Sequence, residues 1–209
     1  MKKIKICTPV TGRTLGEFLK NLTQVQEVSE MVELRVDSLN LTKKDLILIS
    51  ERIRKEAILT SRNKEIVTNS LNLRFDFIDV DLSMINDLKL SKNDRSKIIV
   101  SFHNHEKTPR IDHLKLLVDQ MRKFGAEVIK IATVVNNDQD VKNLFQILLD
   151  KKESEKMIII GMGKSGRVTR IFGPLLGSFL TFASTKFGES APGQIDIEKM
   201  KNIYKLLSF

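Results

Sequence analysis

One lysine sits in the middle of an apolar, β-branched stretch, Glu127-Val128-Ile129-Lys130-Ile131-Ala132-Thr133-Val134-Val135. A run of this kind normally forms a strand covered on both faces, and lysine is almost never fully buried without a partner. Two readings are open. In one, the strand lies at a sheet edge and its lysine reaches water. In the other, burial disfavours the ammonium, whose pKa can fall by up to about 3–5 units. A neutral amine can then attack a carbonyl and form a Schiff base.

Other chemistry-bearing residues fall in similar places. Alternation along Val32-Glu33-Leu34-Arg35-Val36-Asp37 puts Glu33, Arg35 and Asp37 on one face of a strand. Arg62 ends another run, with Glu65 just beyond. Phe77, Asp79 and Asp81 share a face in a third, and Ser101-Phe102-His103-Asn104 closes a fourth. Taken singly, each is read as an ion pair, a loop cap or a hydrogen-bonded histidine. Taken together they are costly to bury unless paired or functional.

The elements that must position them alternate regularly. Strand-like runs are expected at 3–9, 31–37, 57–62, 75–82, 97–103, 127–135, 157–163 and 179–184. Helical patterns lie between them. Thr14 with Glu17 reads as a capping box, and Thr42 caps a helix reaching residue 55 with Asp45 in its first turn. Thr108-Pro109 reads as N-cap and first residue of a helix ended by Gly125. Further helices span about 138–152 and 194–207, whereas residues 66–74 read as a short connector. Strands alternating with helices imply βαβ units and a parallel sheet. Eight such units fit a (β/α)8 TIM barrel, one domain over residues 1–209, near the lower size limit of about 200 residues. A doubly wound sheet usually carries G-x-G-x-x-G in its first turn, which Thr8-Pro9-Val10-Thr11-Gly12-Arg13 lacks. In a barrel the charged faces point into the lumen, at the carboxyl ends of the strands.

Composition narrows the function classes. Of 209 residues 41% are hydrophobic, enough for a sizeable core, and no apolar run reaches the roughly 18 residues of a membrane helix. The start is charged without a long apolar region, so no secretory signal is read there. Cys7 is the only cysteine, which excludes an internal disulfide and favours the cytoplasm. No Cys/His cluster has metal spacing. The net charge of +9 suits a small anion or a nucleic acid. The lysines are spread along the chain, with one Tyr and no Trp, so the dense basic stripe of a nucleic-acid module is missing.

The ordered set of motifs resembles one family, type I 3-dehydroquinate dehydratase, a Schiff-base-forming hydro-lyase of the shikimate pathway, which makes aromatic amino acids. The set comprises Glu33-Leu34-Arg35-Val36-Asp37, Ser61-Arg62 with Glu65, Asp79-Val80-Asp81, Ser101-Phe102-His103-Asn104 and Val128-Ile129-Lys130-Ile131-Ala132. It continues through Met162-Gly163, Ser165-Gly166, Arg170, Gly177-Ser178 and Ser190-Ala191-Pro192-Gly193-Gln194. The resemblance implies that Lys130 forms an imine with the substrate ketone and that His103 is the general acid and base. Glu65 and Asp79 are expected to orient or tune that histidine. Glu33, Arg35 and Arg62 are expected to hold substrate hydroxyls and Arg170 the carboxylate, with Ser190 and Gln194 closing from a mobile loop at 187–192. It implies no metal or other cofactor, a small-molecule substrate, 3-dehydroquinate, no nucleic-acid or membrane partner, and a homodimer. Members often begin with a hairpin that covers the barrel bottom; the first strand starts too early here for one, so a less covered bottom is expected. His105 stands where the family often has an aromatic. A class I aldolase is the alternative enzyme reading, with the turn Gly161-Met162-Gly163-Lys164-Ser165-Gly166 as a phosphate site. A basic nucleic-acid-binding protein ranks below both, since it leaves the inward charges unexplained.

Overall fold

The computed structural model describes residues 4–95, 97–187 and 191–207. Its strands are β1 (Ile6–Val10), β2 (Met31–Arg35), β3 (Glu56–Thr60), β4 (Phe77–Asp81), β5 (Ile98–Asn104), β6 (Val128–Val134), β7 (Lys156–Met162) and β8 (Thr181–Ser184). Every ladder is parallel, and the order runs β7-β6-β5-β4-β3-β2-β1-β8. That is the cyclic order of a (β/α)8 barrel. Backbone hydrogen bonds join the two ends of the curled sheet: Phe179 N–H donates to the Met157 carbonyl at 2.7 Å and Gly163 N–H to the Pro192 carbonyl at 3.1 Å. A two-residue strand, β9 (Ile195–Asp196), pairs with β8.

The packing gives each strand two distinct faces. One apolar cluster draws Cys7, Met31, Ile58, Phe77, Ile99, Val128, Ile158 and Phe182 from the eight strands in turn and fills the lower lumen. A larger cluster lies outside the sheet, where Val32, Leu34, Ile78, Val80, Val100, Ile129 and Ile131 pack under the helices. Alternation then fixes the remaining side chains: Glu33, Asp79, Ser101 and Lys130 stand one pleat above the lumenal apolar layer. At the floor, Phe179 packs edge-on against Phe77, with ring centroids 5.6 Å apart. Lys5 and Lys156 lie over the same ring at 5.0 and 5.7 Å and pair with Glu56 and Glu127. These side chains cover the bottom of the barrel.

Helix starts follow the caps. In α1 (Leu15–Val28), Thr14 accepts from Glu17 N–H at 3.2 Å. In α2 (Lys43–Glu51), Thr42 and Asp45 form the reciprocal box. Residues read as a connector instead form α3 (Lys64–Ser70), because Asn63 Oδ1 accepts from Glu65 N–H at 2.9 Å and Ile66, Val67 and Ser70 give it a buried face. So short a helix shows too little periodicity to be read from sequence. A 3-10 turn (Leu82–Asp87) and α4 (Lys92–Arg95) lead to β5. The next helix, α5 (Ile111–Phe124), starts later than expected and ends at Gly125 with φ 82°. Thr108 is not its cap: the hydroxyl is buried on Thr133 Oγ1 and the Val134 carbonyl, both at 2.8 Å.

Asn137 caps α6 (Asp138–Leu149). The helix after β7, α7 (Arg167–Leu175), has no counterpart in the sequence reading, since Gly166, Gly173 and Pro174 mask its pattern. The last helix is α8 (Ile197–Leu207). Among the described residues no helix is long and apolar enough to cross a membrane.

Candidate active site

A cleft opens at the carboxyl ends of the strands, with about 730 Å3 of empty space including its mouth. Lys130 forms its floor and is 5% exposed. Its Nζ lies 2.7 Å from Asp79 Oδ2 and 3.5 Å from Glu33 Oε1, and 4.8 Å from the centre of the Phe182 ring. Each carboxylate has a further donor: Ser101 Oγ to Asp79 at 2.5 Å and Thr60 Oγ1 to Glu33 at 3.1 Å. The strand is central, so the edge-strand reading of Lys130 fails.

The expected neutral amine fails as well. Burial lowers the Lys130 pKa, but Asp79 and Glu33 together outweigh it and hold the pKa above its ordinary value. Burial likewise pushes Asp79 up, and Lys130, His103 and Ser101 reverse this, so its carboxyl is held below the usual range. The site therefore holds an ammonium inside a carboxylate cage.

His103 ends β5. The β5–β6 register pairs Ser101 with Lys130 and His103 with Ala132, which sets the imidazole one pleat nearer the mouth than the amine. His105 lies in the following loop, and the two rings are nearly parallel, 8° apart in plane and 6.3 Å between centroids. Arg35 stands above Glu33 on β2; its Nε donates to Asp37 Oδ2 at 2.8 Å, so the pair read for Glu33 and Arg35 is replaced by Glu33–Lys130 and Arg35–Asp37. Arg62 lies at the mouth after β3.

Arg170 reaches the cleft from α7 and is 1% exposed. Its backbone carbonyl accepts from Tyr204 Oη at 2.7 Å and Thr181 Oγ1 at 2.9 Å, tying α7 to α8 and β8. Thr169 ties the same helix to β7: its Oγ1 accepts from Gly161 N–H at 2.7 Å. Gln194 is buried and lines the cleft near β8.

Of the expected residues that the structure describes, Glu65 is not brought to this cleft. Ser190 lies outside the described residues, as does the centre of the loop at 187–192. Glu65 is exposed on the first turn of α3, where it borders a separate groove with Lys64 and Asp87. The sequence reading had assigned no role to Asp81, whose Oδ2 lies 3.5 Å from His103 Nδ1. Its signal was available, since it shares a lumenal face with Asp79.

The family model of Type I 3-dehydroquinase matches residues 6–208. A 3-dehydroquinate dehydratase of Coxiella burnetii is 38% identical over 216 residues, covering 96% of this chain and 92% of that one. One of Methanococcus maripaludis is 34% identical over 223 residues, covering 97% and 100%. Among solved structures, the 3-dehydroquinate dehydratase of Geobacillus kaustophilus superposes with a TM-score of 0.85 at 23% identity, over 99% of this chain and 91% of that chain. A match over nearly the whole chain, joined to a barrel that carries its lysine and histidine in one cleft, places the chain in the Type I 3-dehydroquinase family.

Proposed function

We propose that Lys130 carries out the family's reaction, loss of water from 3-dehydroquinate to give 3-dehydroshikimate in the shikimate pathway, through an imine. The observation that carries this reading is the buried Lys130 inside its carboxylate cage, one pleat below His103. The amine starts as an ammonium, so a proton must leave Nζ before attack; Asp79, at 2.7 Å, is within reach to take it. Attack on the ketone gives a carbinolamine; the proton held by Asp79 passes to its hydroxyl, which leaves as water, and a protonated imine remains. The positive charge returns to the same nitrogen, where Asp79 and Glu33 stabilise it.

Removing a proton from the adjacent carbon then pushes electrons into the imine. His103 takes that proton and returns it to the departing hydroxyl, as general base and then general acid. Hydrolysis frees the product and Lys130. In this reading Arg170 binds the substrate carboxylate as a planar fork. Arg35, Arg62 and Gln194 hold hydroxyls at the mouth. A cytoplasmic location and a homodimer belong to the same proposal, the first supported by the lone buried Cys7.

Borohydride reduction in the presence of 3-dehydroquinate or its product tests the imine. Inactivation is expected, with the added mass in the peptide containing Lys130, and Lys130→Ala should lose both label and turnover. Labelling of another lysine would overturn the assignment.

A further inference from the structure

An imidazole that shuttles a proton at one nitrogen needs the other nitrogen held, so that tautomer and ring orientation stay fixed. The residue expected to hold His103, Glu65, points into a different groove. His103 Nδ1 is buried, and no hydrogen bond with normal geometry engages it among the described residues. The carboxylate within ion-pair distance of that nitrogen is Asp81, with Oδ2 at 3.5 Å. We propose that Asp81 is the positioning residue of His103, accepting from Nδ1–H so that Nε2 faces the substrate.

Local structure prepares Asp81 for this role. It is the last residue of β4 and caps the 3-10 turn that follows. Ser83 donates to its Oδ1 from both N–H (3.0 Å) and Oγ (2.6 Å), which leaves Oδ2 directed at the imidazole. The β4–β5 register pairs Asp81 with Ser101, so His103 follows on the same lumenal face. Asp79 on β4, which also faces the imidazole, is engaged with Lys130 on β6. His105 stacks against the same imidazole. Burial by itself would raise the Asp81 carboxyl, but His103 and Ser83 hold it well below the usual range.

The proposal rests on the reading that His103 moves protons in the dehydration. The proton balance is closed. Nε2 takes one proton from the carbon beside the imine and gives it to the leaving hydroxyl, while Nδ1 keeps its proton and Asp81 its charge throughout.

Asp81→Asn, Asp81→Glu and Glu65→Gln test it, assayed by turnover of 3-dehydroquinate and by borohydride trapping. Asp81→Asn should lower kcat by at least about 10-fold, part of the roughly 10²–10⁴ that a general acid–base group supplies. KM and labelling of Lys130 should stay near those of the unaltered chain, because substrate binding and imine formation do not need the histidine held. Asp81→Glu should recover part of kcat, and Glu65→Gln should leave it unchanged. Unchanged kcat in Asp81→Asn, or an equal loss in Glu65→Gln, overturns the proposal. Isotope-edited nitrogen NMR of the unaltered chain reads the tautomer directly, even if a variant fails to fold. A proton on Nδ1 of His103 supports the proposal, and a neutral ring protonated on Nε2 refutes it. Absence of turnover by the unaltered chain would instead count against the dehydratase reading, and the tautomer would still decide the role of Asp81.

Discussion

Three buried side chains, Lys130, Asp79 and Glu33, set the electrostatics of the cleft. The Lys130–Asp79 pair makes stability depend on pH in a definite direction. Asp79 has a folded pKa below its ordinary 3.8, so its contribution is present above that value and is lost as pH falls through the folded pKa. Lys130 has a folded pKa above its ordinary 10.5, so its contribution is present below that value and is lost as pH rises through the folded pKa. The stability difference between the unaltered chain and Asp79→Asn should therefore be level between these two ordinary values and shrink at both extremes. Urea unfolding across pH measures it; a difference that grows in acid would contradict this sign. Arg170 offers a second test at this scale. A hydrogen bond to a charged group contributes about 1.5–3 kcal/mol, so Arg170→Ala should lower kcat/KM by roughly 10-fold or more, mainly through KM. A loss confined to kcat would mean that Arg170 acts on the chemistry rather than on binding.

Among the elements, α7 is set by a close backbone contact at its start. A Cβ on Gly166 would lie 2.4 Å from the Gly161 carbonyl carbon and 2.5 Å from its oxygen, so the turn after β7 closes only with glycine there. That closure, with Thr169 bonded to Gly161 N–H, sets where α7 delivers Arg170. Gly166→Ala should cost about 1–3 kcal/mol, as overpacking does. It should also raise KM more than an equally destabilising change elsewhere, because α7 must move outward with Arg170. Denaturant melts and steady-state kinetics check both halves; a stability loss with normal KM would separate α7 from substrate binding.

For the whole molecule, the proposed homodimer has a candidate face. Phe172, Leu175 and Leu176 are exposed together at the end of α7, at 42%, 37% and 40%. Exposed apolar groups in one patch mark association surfaces more often than single ones do. Equilibrium sedimentation should give twice the chain mass of 23.9 kDa, and Phe172→Glu should shift it toward the monomer. A chain that stays monomeric at every concentration would remove the dimer from the proposal.

Much of this architecture is local in origin and was legible in the chain. A strand's period of two fixes which residues share a face, so Glu33 with Arg35, and Asp79 with Asp81, were already sorted toward one side of the sheet. Alternating strands and capped helices pointed to the barrel, and lysine within a β-branched run marked the candidate nucleophile. Tertiary structure alone decided the contacts between strands. Lys130 meets Asp79 across 51 positions of sequence and Glu33 across 97, and only those distances turn a lysine expected to be neutral into an ammonium. Desolvation can be inferred from one apolar stretch, whereas the opposing Coulomb attraction depends on which carboxylates face it. The partner of His103 was decided in the same way. Asn63 starts α3 early enough to carry Glu65 outward, and the β4–β5 register brings Asp81 to the imidazole instead.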